Sequence, residues 1–254
     1  MLLYRIADTP HHIAGTVHVL PSDATSLPAE LCAVHGAAGT VAFEYPPDGS
    51  GGAGPEPFLD PPALLRTLVP EETYRAADAL RRRLGLGDNF DHLKPWAATR
   101  DLMVTLMGGW DYKPGVDAQL WAATDLNRRI TLDDEDARWA FDRAPIDEQA
   151  AGLARIANDP DDGKRRISKM VAAWRMGGLL ALEVFETEMH VMAERAPTVS
   201  KALMDDRNAL WMPKIQGLVA RLEPALILVG SGHLAGPAGL LARLERSGLP
   251  VVPV

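Results

Sequence analysis

Two kinds of hydrophobic pattern divide this chain. Near both ends, short apolar runs are bounded by turn residues: Leu2 to Ile6, Ile13 to Leu20, Gly39 to Glu44, Ala225 to Gly230 and Val251-Val252. Runs of that length read as core strands. Asp8-Thr9-Pro10-His11 joins the first two as a hairpin turn. Residues 26–36 read as a helix. From about 60 to 222 the apolar residues recur at helical spacing. The predicted helices are 61–84, 95–107, 116–128, 134–143, 146–157, 164–176, 179–195 and 199–222, with Gly and Pro at their breaks. Residues 129–132 read as a short strand. Gly236-Pro237 opens a last helix with Pro in its first turn, and Gly248 closes it. The pattern predicts an α/β (α+β) fold in a single domain, 1–254. Its β-rich core comes from both termini, 1–45 and 223–254, with a large helical insertion at 60–222. The Pro/Gly-dense stretch Tyr45 to Pro57 is expected to be the most flexible segment, either a lid or slack.

Composition narrows the function classes. With 254 residues and 47% apolar content, a sizeable core is expected. Net charge is −8 with no long basic patch, which argues against nucleic acid or an anionic membrane as the main partner. No apolar stretch reaches the roughly 18 residues of a membrane span. The start of the chain lacks signal-peptide features, so a cytoplasmic location is expected. A peptide or small-molecule substrate fits these limits, and a homo-oligomer is possible. The single cysteine, Cys32, excludes an internal disulfide and reads as a small buried hydrophobe.

Two short motifs carry the candidate chemistry. Gly15-Thr16-Val17-His18 and Gly230-Ser231-Gly232-His233 each place His three residues after Gly, behind an apolar run. Composition alone yields about 0.6 such pairs by chance, so the context at two strand ends is the argument. Imidazole is the commonest metal ligand and general base. Gly15, Gly230 and Gly232 are the candidate positions for close approach of a cofactor. A helix starting near Pro237 would aim N–H groups toward His233. Glu44, following Val41-Ala42-Phe43, is either paired and buried or a solvent-facing strand end. Asn208 falls on the apolar stripe of Met204, Trp211, Ile215 and Leu218. It either ties the helix to a loop carbonyl or points into a site, with Arg207 gripping a carboxylate. Glu186 and His190, with Glu183 and Glu188, read as a solvated face. His11, His12, His35 and His92 read as surface residues.

The order of these pieces resembles the TraB/GumN family, which also includes the Tiki-type proteases. The matching stretches are Gly15 to Val19, Glu44, Leu93-Lys94-Pro95-Trp96, Gly115-Val116-Asp117, Ala173 to Gly177, Asp206-Arg207-Asn208 and Val229 to Leu240 with Leu244 and Gly248. The resemblance implies an α/β core with a helical insert and an active centre of His18, His233 and Glu44. It further implies a divalent metal on those three residues, manganese or cobalt first and zinc as another option, in a hydrolase of the peptidase kind. Arg207 and Asn208 would hold a substrate carboxylate or an oxyanion. One departure is Leu132-Asp133-Asp134 where many relatives carry Leu-Glu, so that role falls to Asp133 or is lost. Two other readings use the same residues. One is a metal-free, esterase-like hydrolase with His as base. The other is a non-catalytic protein binding haem, a metal or a peptide.

Overall fold

The computed structural model describes every residue except Thr25, Gly49, Gly51 and Gly52. Those three glycines fall in the proposed lid segment and lie outside the described residues. The chain opens with the antiparallel pair β1 (Leu2–Ile6) and β2 (His12–Thr16), then β3 (Val19–Pro21), α1 (Ala29–Ala37) and β4 (Thr40–Phe43). The helical insertion runs through α2 (Leu65–Leu68), α3 (Glu71–Arg83), α4 (Pro95–Gly108), β5 (Tyr112–Pro114), α5 (Val116–Ala123) and β6 (Arg129–Thr131). It continues with α6 (Trp139–Asp142), α7 (Ile146–Asn158), α8 (Asp162–Met176), α9 (Gly178–Arg195), α10 (Pro197–Ser200) and α11 (Arg207–Val219). The chain closes with β7 (Ala225–Gly230), α12 (Leu240–Arg246) and β8 (Val251–Pro253).

Six strands form one mixed sheet in the order β6-β4-β7-β2-β1-β8, so the two termini do build the core, as the pattern predicts. β6, β4, β7 and β2 are mutually parallel. β7 lies at the centre with its apolar residues buried, the signature of a parallel strand covered on both faces. The register aligns the strand ends. Thr16 stands opposite Gly230, while Phe43 stands opposite both Leu228 and Thr131. The residues that follow, His18, Glu44, Asp133 and His233, therefore leave the sheet along one edge. That carboxyl edge is where α/β sheets collect their ligands. The insertion has its own apolar cluster, in which Leu65, Phe90, Trp96 and Leu153 are buried.

Several expectations need correction. The run 13–20 is not one strand: β2 ends at Thr16, and Val19–Pro21 pairs with Tyr112–Pro114 in a separate two-stranded sheet. His18 sits in the bend between them. The helix expected over 61–84 begins only at Leu65 and is broken before Glu71, because Pro70 supplies no N–H to continue it. The helix expected over 134–143 shrinks to α6, and that over 116–128 ends at Ala123. Within 199–222 a π-helical stretch, Lys201–Asp206, separates α10 from α11. Its wider turn shifts the helical phase, so Met204 is only half-buried while Asn208, Trp211, Ile215 and Leu218 are buried. The last helix starts at Leu240, after a 3₁₀ turn over Ser231–Leu234, rather than at Pro237.

Burial overturns four side-chain expectations. Cys32 is exposed, because α1 turns Leu31 and His35 inward, four residues apart. His35 is buried and hydrogen-bonds Thr124 Oγ1 at 2.7 Å. His11 is fully buried, bridging the Arg221 carbonyl and the Ala225 amide, each at 3.1 Å. It staples the entry of β7 to the end of α11. Glu188 is buried between Arg166 and Lys169 at 2.8 and 2.9 Å, whereas His190 and its partner Glu194 are exposed. Among the described residues, no helix is long and apolar enough to cross a membrane.

Candidate functional site

The carboxyl edge of the sheet brings His18, Glu44, Arg207, Asn208 and His233 together, along with Asp117, Asp133 and Trp211. Gly230 is the hub. A Cβ placed there would lie 3.2 Å from Glu44 Oε1, 3.7 Å from His18 Nε2 and 3.7 Å from His233 Cδ2. Glycine at 230 thus keeps open the space on which the three groups converge. Gly15 and Gly232 do not border it. They admit Ser231 with Leu234, and Met189, respectively. Their role is packing: Ser231 Oγ donates to the Thr16 carbonyl at 2.9 Å and Trp174 Nε1 to the Gly15 carbonyl at 2.7 Å. These bonds tie the two Gly-x-x-His segments into one unit.

Each histidine is held through Nδ1, but by a different partner. His18 Nδ1 lies 2.8 Å from Asp117 Oδ2. Gly115 and Val116 dock on the backbone of Val17 and His18, with both amide bonds at 2.9 Å, and this delivers Asp117 to the ring. His233 Nδ1 lies 2.8 Å from Asn208 Oδ1. An amide oxygen only accepts, so His233 carries its proton on Nδ1, and its unprotonated Nε2 accepts from Arg207 Nη1. Asn208 Nδ2 donates to the Ala238 carbonyl at 3.3 Å, so Asn208 ties its helix to a loop carbonyl while its oxygen holds His233.

Arg207 grips carboxylates, but they are the protein's own. Nε and Nη2 donate to the two Asp133 oxygens at 3.1 and 2.7 Å, and Nη2 also reaches Glu44 Oε2 at 2.8 Å. Nη1 stands 3.3 Å from His233 Nε2. The guanidinium lies over Trp211, whose Nε1 donates to Asp133 at 2.8 Å. This is a correction: the fork of Arg207 and the amide of Asn208 are spent on Glu44, Asp133 and His233 and are not free to hold a substrate carboxylate. Glu44 is buried and paired rather than solvent-facing, and its Oε1 accepts a hydrogen bond from the Gly230 amide.

The electrostatics separate the two rings. Desolvation alone would lower the pKa of His18, but the hydrogen bond and charge of Asp117, with the field of Glu44, raise it to about 9. His18 keeps 54% of its side-chain area exposed, so it stands at the solvent edge of the site. His233 is buried, and that burial pushes it down to about 4 despite Glu44 nearby. Burial also opposes the charge of Glu44, yet His233, Arg207, His18 and the Gly230 amide hold its carboxyl at about 2. Because His233 is neutral at neutral pH, the cations that keep Glu44 ionised are Arg207 and protonated His18. Desolvation raises Asp133 above its ordinary value in spite of Arg207. Burial and the charges of Asp117 and Glu44 raise Tyr45, keeping its phenol protonated 6.2 Å from His18, ring centre to ring centre.

The family model described as the TraB/PrgY/gumN family matches residues 2–253. The chain belongs to that family. No curated protein and no solved structure matches it. The family match spans both Gly-x-x-His motifs and the helical insertion between them. Three contributors to the site carry no role in the motif reading: Asp117, Tyr45 and Trp211. Asp117 had a usable signal, since a Gly-Val-Asp segment opening a helix can bring a carboxylate to a neighbouring loop.

The donor set fits a divalent cation by its chemistry. His18 Nε2 and Glu44 Oε1 border the space beside Gly230, and His233 Nε2 lies 3.7 Å from Glu44 Oε1 and 3.3 Å from Arg207 Nη1. Each imidazole is oriented through its other nitrogen by a hydrogen-bond acceptor, the usual arrangement around metal-ligating histidine. Among the described residues, no group of three or more His, Cys, Asp or Glu side chains is arranged as it would be around a metal ion.

Proposed function

We propose that this protein is a divalent-metal-dependent hydrolase, of the peptidase kind, with His18, Glu44 and His233 holding the ion. The carrying observation is the convergence of His18 Nε2, Glu44 Oε1 and the His233 ring beside Gly230. A divalent cation, when bound, supplies Lewis acidity, acidifying water and polarising an acyl oxygen. The chain's own residues divide the remaining work. Glu44 is held too acidic to be an efficient base at neutral pH, so it suits the role of a charged ligand. Arg207 fixes Glu44 from behind. Asn208 fixes the His233 tautomer and leaves Nε2 unprotonated, a lone pair that Arg207 Nη1 must yield to the ion. His18 must give up its proton to become a ligand, which makes metal affinity rise with pH.

A specific observation favours one other reading. His233 is neutral, with Nε2 unprotonated at 3.7 Å from Glu44 Oε1, and so is equipped to accept a proton from water without any metal once Arg207 Nη1, 3.3 Å away, releases the Nε2 lone pair. One experiment separates the two. Protein stripped by a chelator is assayed on a library of fluorogenic peptides, before and after adding Mn²⁺ or Co²⁺. The metal reading expects turnover only after addition, and a loss of at least about hundredfold in Glu44→Gln, the scale of removing a principal catalytic group. Turnover that persists in the stripped protein supports the His233 base instead. No turnover of any peptide by the metal-loaded protein overturns the peptidase assignment.

A further inference from the structure

The helical insertion encloses a cavity of about 430 Å³, which shares no lining residue with the Glu44 site. It lies among α4, α7, α8, the end of α9 and α10. Its wall is mostly apolar, with Trp96, Met103, Ile156, Met192 and Val199. Its volume is within the range of small-molecule sites. Arg155 of α7 also lines it, half-buried. Among the described residues Arg155 forms no ion pair, and it makes one long hydrogen bond, to the Arg195 carbonyl at 3.5 Å.

The neighbouring charges are committed elsewhere. Arg166 pairs with Glu188 at 2.8 Å and Arg195 with Asp162 at 3.1 Å. Glu148 is the nearest spare acid by position, but its two oxygens cap α10, accepting from the Thr198 and Val199 amides at 3.2 and 2.9 Å. Arg138 and Asp159 also pair locally, with Asp136 and Arg165. Burial and the fields of Arg195 and Arg166 pull the pKa of Arg155 below its ordinary value, and the weaker pull of Asp162 and Glu148 does not offset them. A largely apolar cavity therefore carries one cation that no carboxylate contacts. Its complement is a molecule with an apolar body and one negative head.

We propose that this cavity binds a small amphipathic carboxylate, with Arg155 taking the carboxylate and the Trp96, Ile156 and Met192 wall taking the apolar body. The proposal does not depend on the catalytic reading. Calorimetric titration with decanoate tests it on the full chain, with 1-decanol and decylamine as controls. Decanoate is expected to bind one to one. Decanol is expected to bind at least about tenfold more weakly, the scale of losing a hydrogen bond to a charged group, and decylamine not at all. Arg155→Met should cost a similar factor. Gly152→Leu should abolish binding. A Cβ at Gly152 meets only Arg155 Nη2, at 3.8 Å, so a larger side chain grows into the cavity without striking backbone. Each variant is compared with wild type by its thermal melt. Absence of decanoate binding by wild type overturns the proposal. So does equal binding of decanoate and decanol, or decanoate binding unchanged in folded Gly152→Leu.

Discussion

The two Gly-x-x-His segments look alike in sequence and end up unlike in structure. His18 leaves β2 at a bend, stands at the solvent edge of the site, leans on a carboxylate and is protonated at neutral pH. His233 sits in a buried 3₁₀ turn after β7, leans on an amide and is neutral. The difference comes from what the helical insertion delivers to each: Asp117 from α5 to the first, Asn208 from α11 to the second. The same residue spacing thus yields one histidine suited to hold charge and one suited to offer a lone pair. The environment of each ring, and not the motif, decides its state.

The largest expected effect comes from removing the cation that lets the acidic half of this site stay charged. Arg207→Met leaves Glu44 and Asp133 buried as like charges. Its expected cost is about 3–5 kcal/mol, and the melting midpoint should fall on the order of 10 °C. Adding Glu44→Gln and Asp133→Asn to that variant should recover part of the loss, as followed by thermal melts. A midpoint unchanged in Arg207→Met would mean that the Glu44–Arg207–Asp133 cluster contributes nothing to the fold.

A medium effect sharpens the comparison of the two rings. Asp117→Asn and Asn208→Ala each remove the group that orients one imidazole, and each should weaken Mn²⁺ binding by about 10–100-fold. Asp117→Asn should also return the His18 pKa toward its ordinary 6.5, as read from imidazole NMR signals against pH. Asn208→Ala should leave that titration in place. An unshifted His18 titration in Asp117→Asn would remove the basis of the contrast.

The smallest effect is a two-sided pH dependence in the metal-free protein. The folded pKa of His18 is raised, so its stabilisation is complete below 6.5 and is lost as pH rises through about 9. The folded pKa of His233 is lowered, so the folded state resists protonation. Its penalty is absent above 6.5 and grows as pH falls from there through about 4. Urea unfolding across that range should give a shallow maximum near 6.5. His18→Gln should flatten the alkaline side and His233→Gln the acid side. The reverse assignment of the two slopes would show that the rings have been given the wrong states.

Sheet and site differed in how far the sequence revealed them. Most strands of the main sheet were legible as short apolar runs closed by turn residues, and β7 is apolar along almost its whole length, whereas the small sheet of β3 and β5 was not, because Tyr112–Pro114 is no apolar run. The convergence of His18, Glu44 and His233 was legible because all three follow such runs. The roles of Arg207 and Asn208 were not. Local spacing reveals that Asn208 lies on a buried face, but its partner, His233, is 25 residues away. Asp133 is 74 residues from Arg207. The buried histidines His11 and His35 were misjudged for the same reason, since their partners Ala225 and Thr124 come from distant segments. The π-helical stretch before Arg207 was hidden because a wider turn leaves no mark in a pattern read at a fixed helical period.

The most direct test of the joint site is a calorimetric titration of Mn²⁺ into chelator-stripped protein, for wild type, His18→Ala and His233→Ala. One ion per wild-type chain is expected, with binding lost in both variants while each keeps a cooperative melt. One ion bound at unchanged affinity by either folded variant would contradict a site built from both ends of the chain.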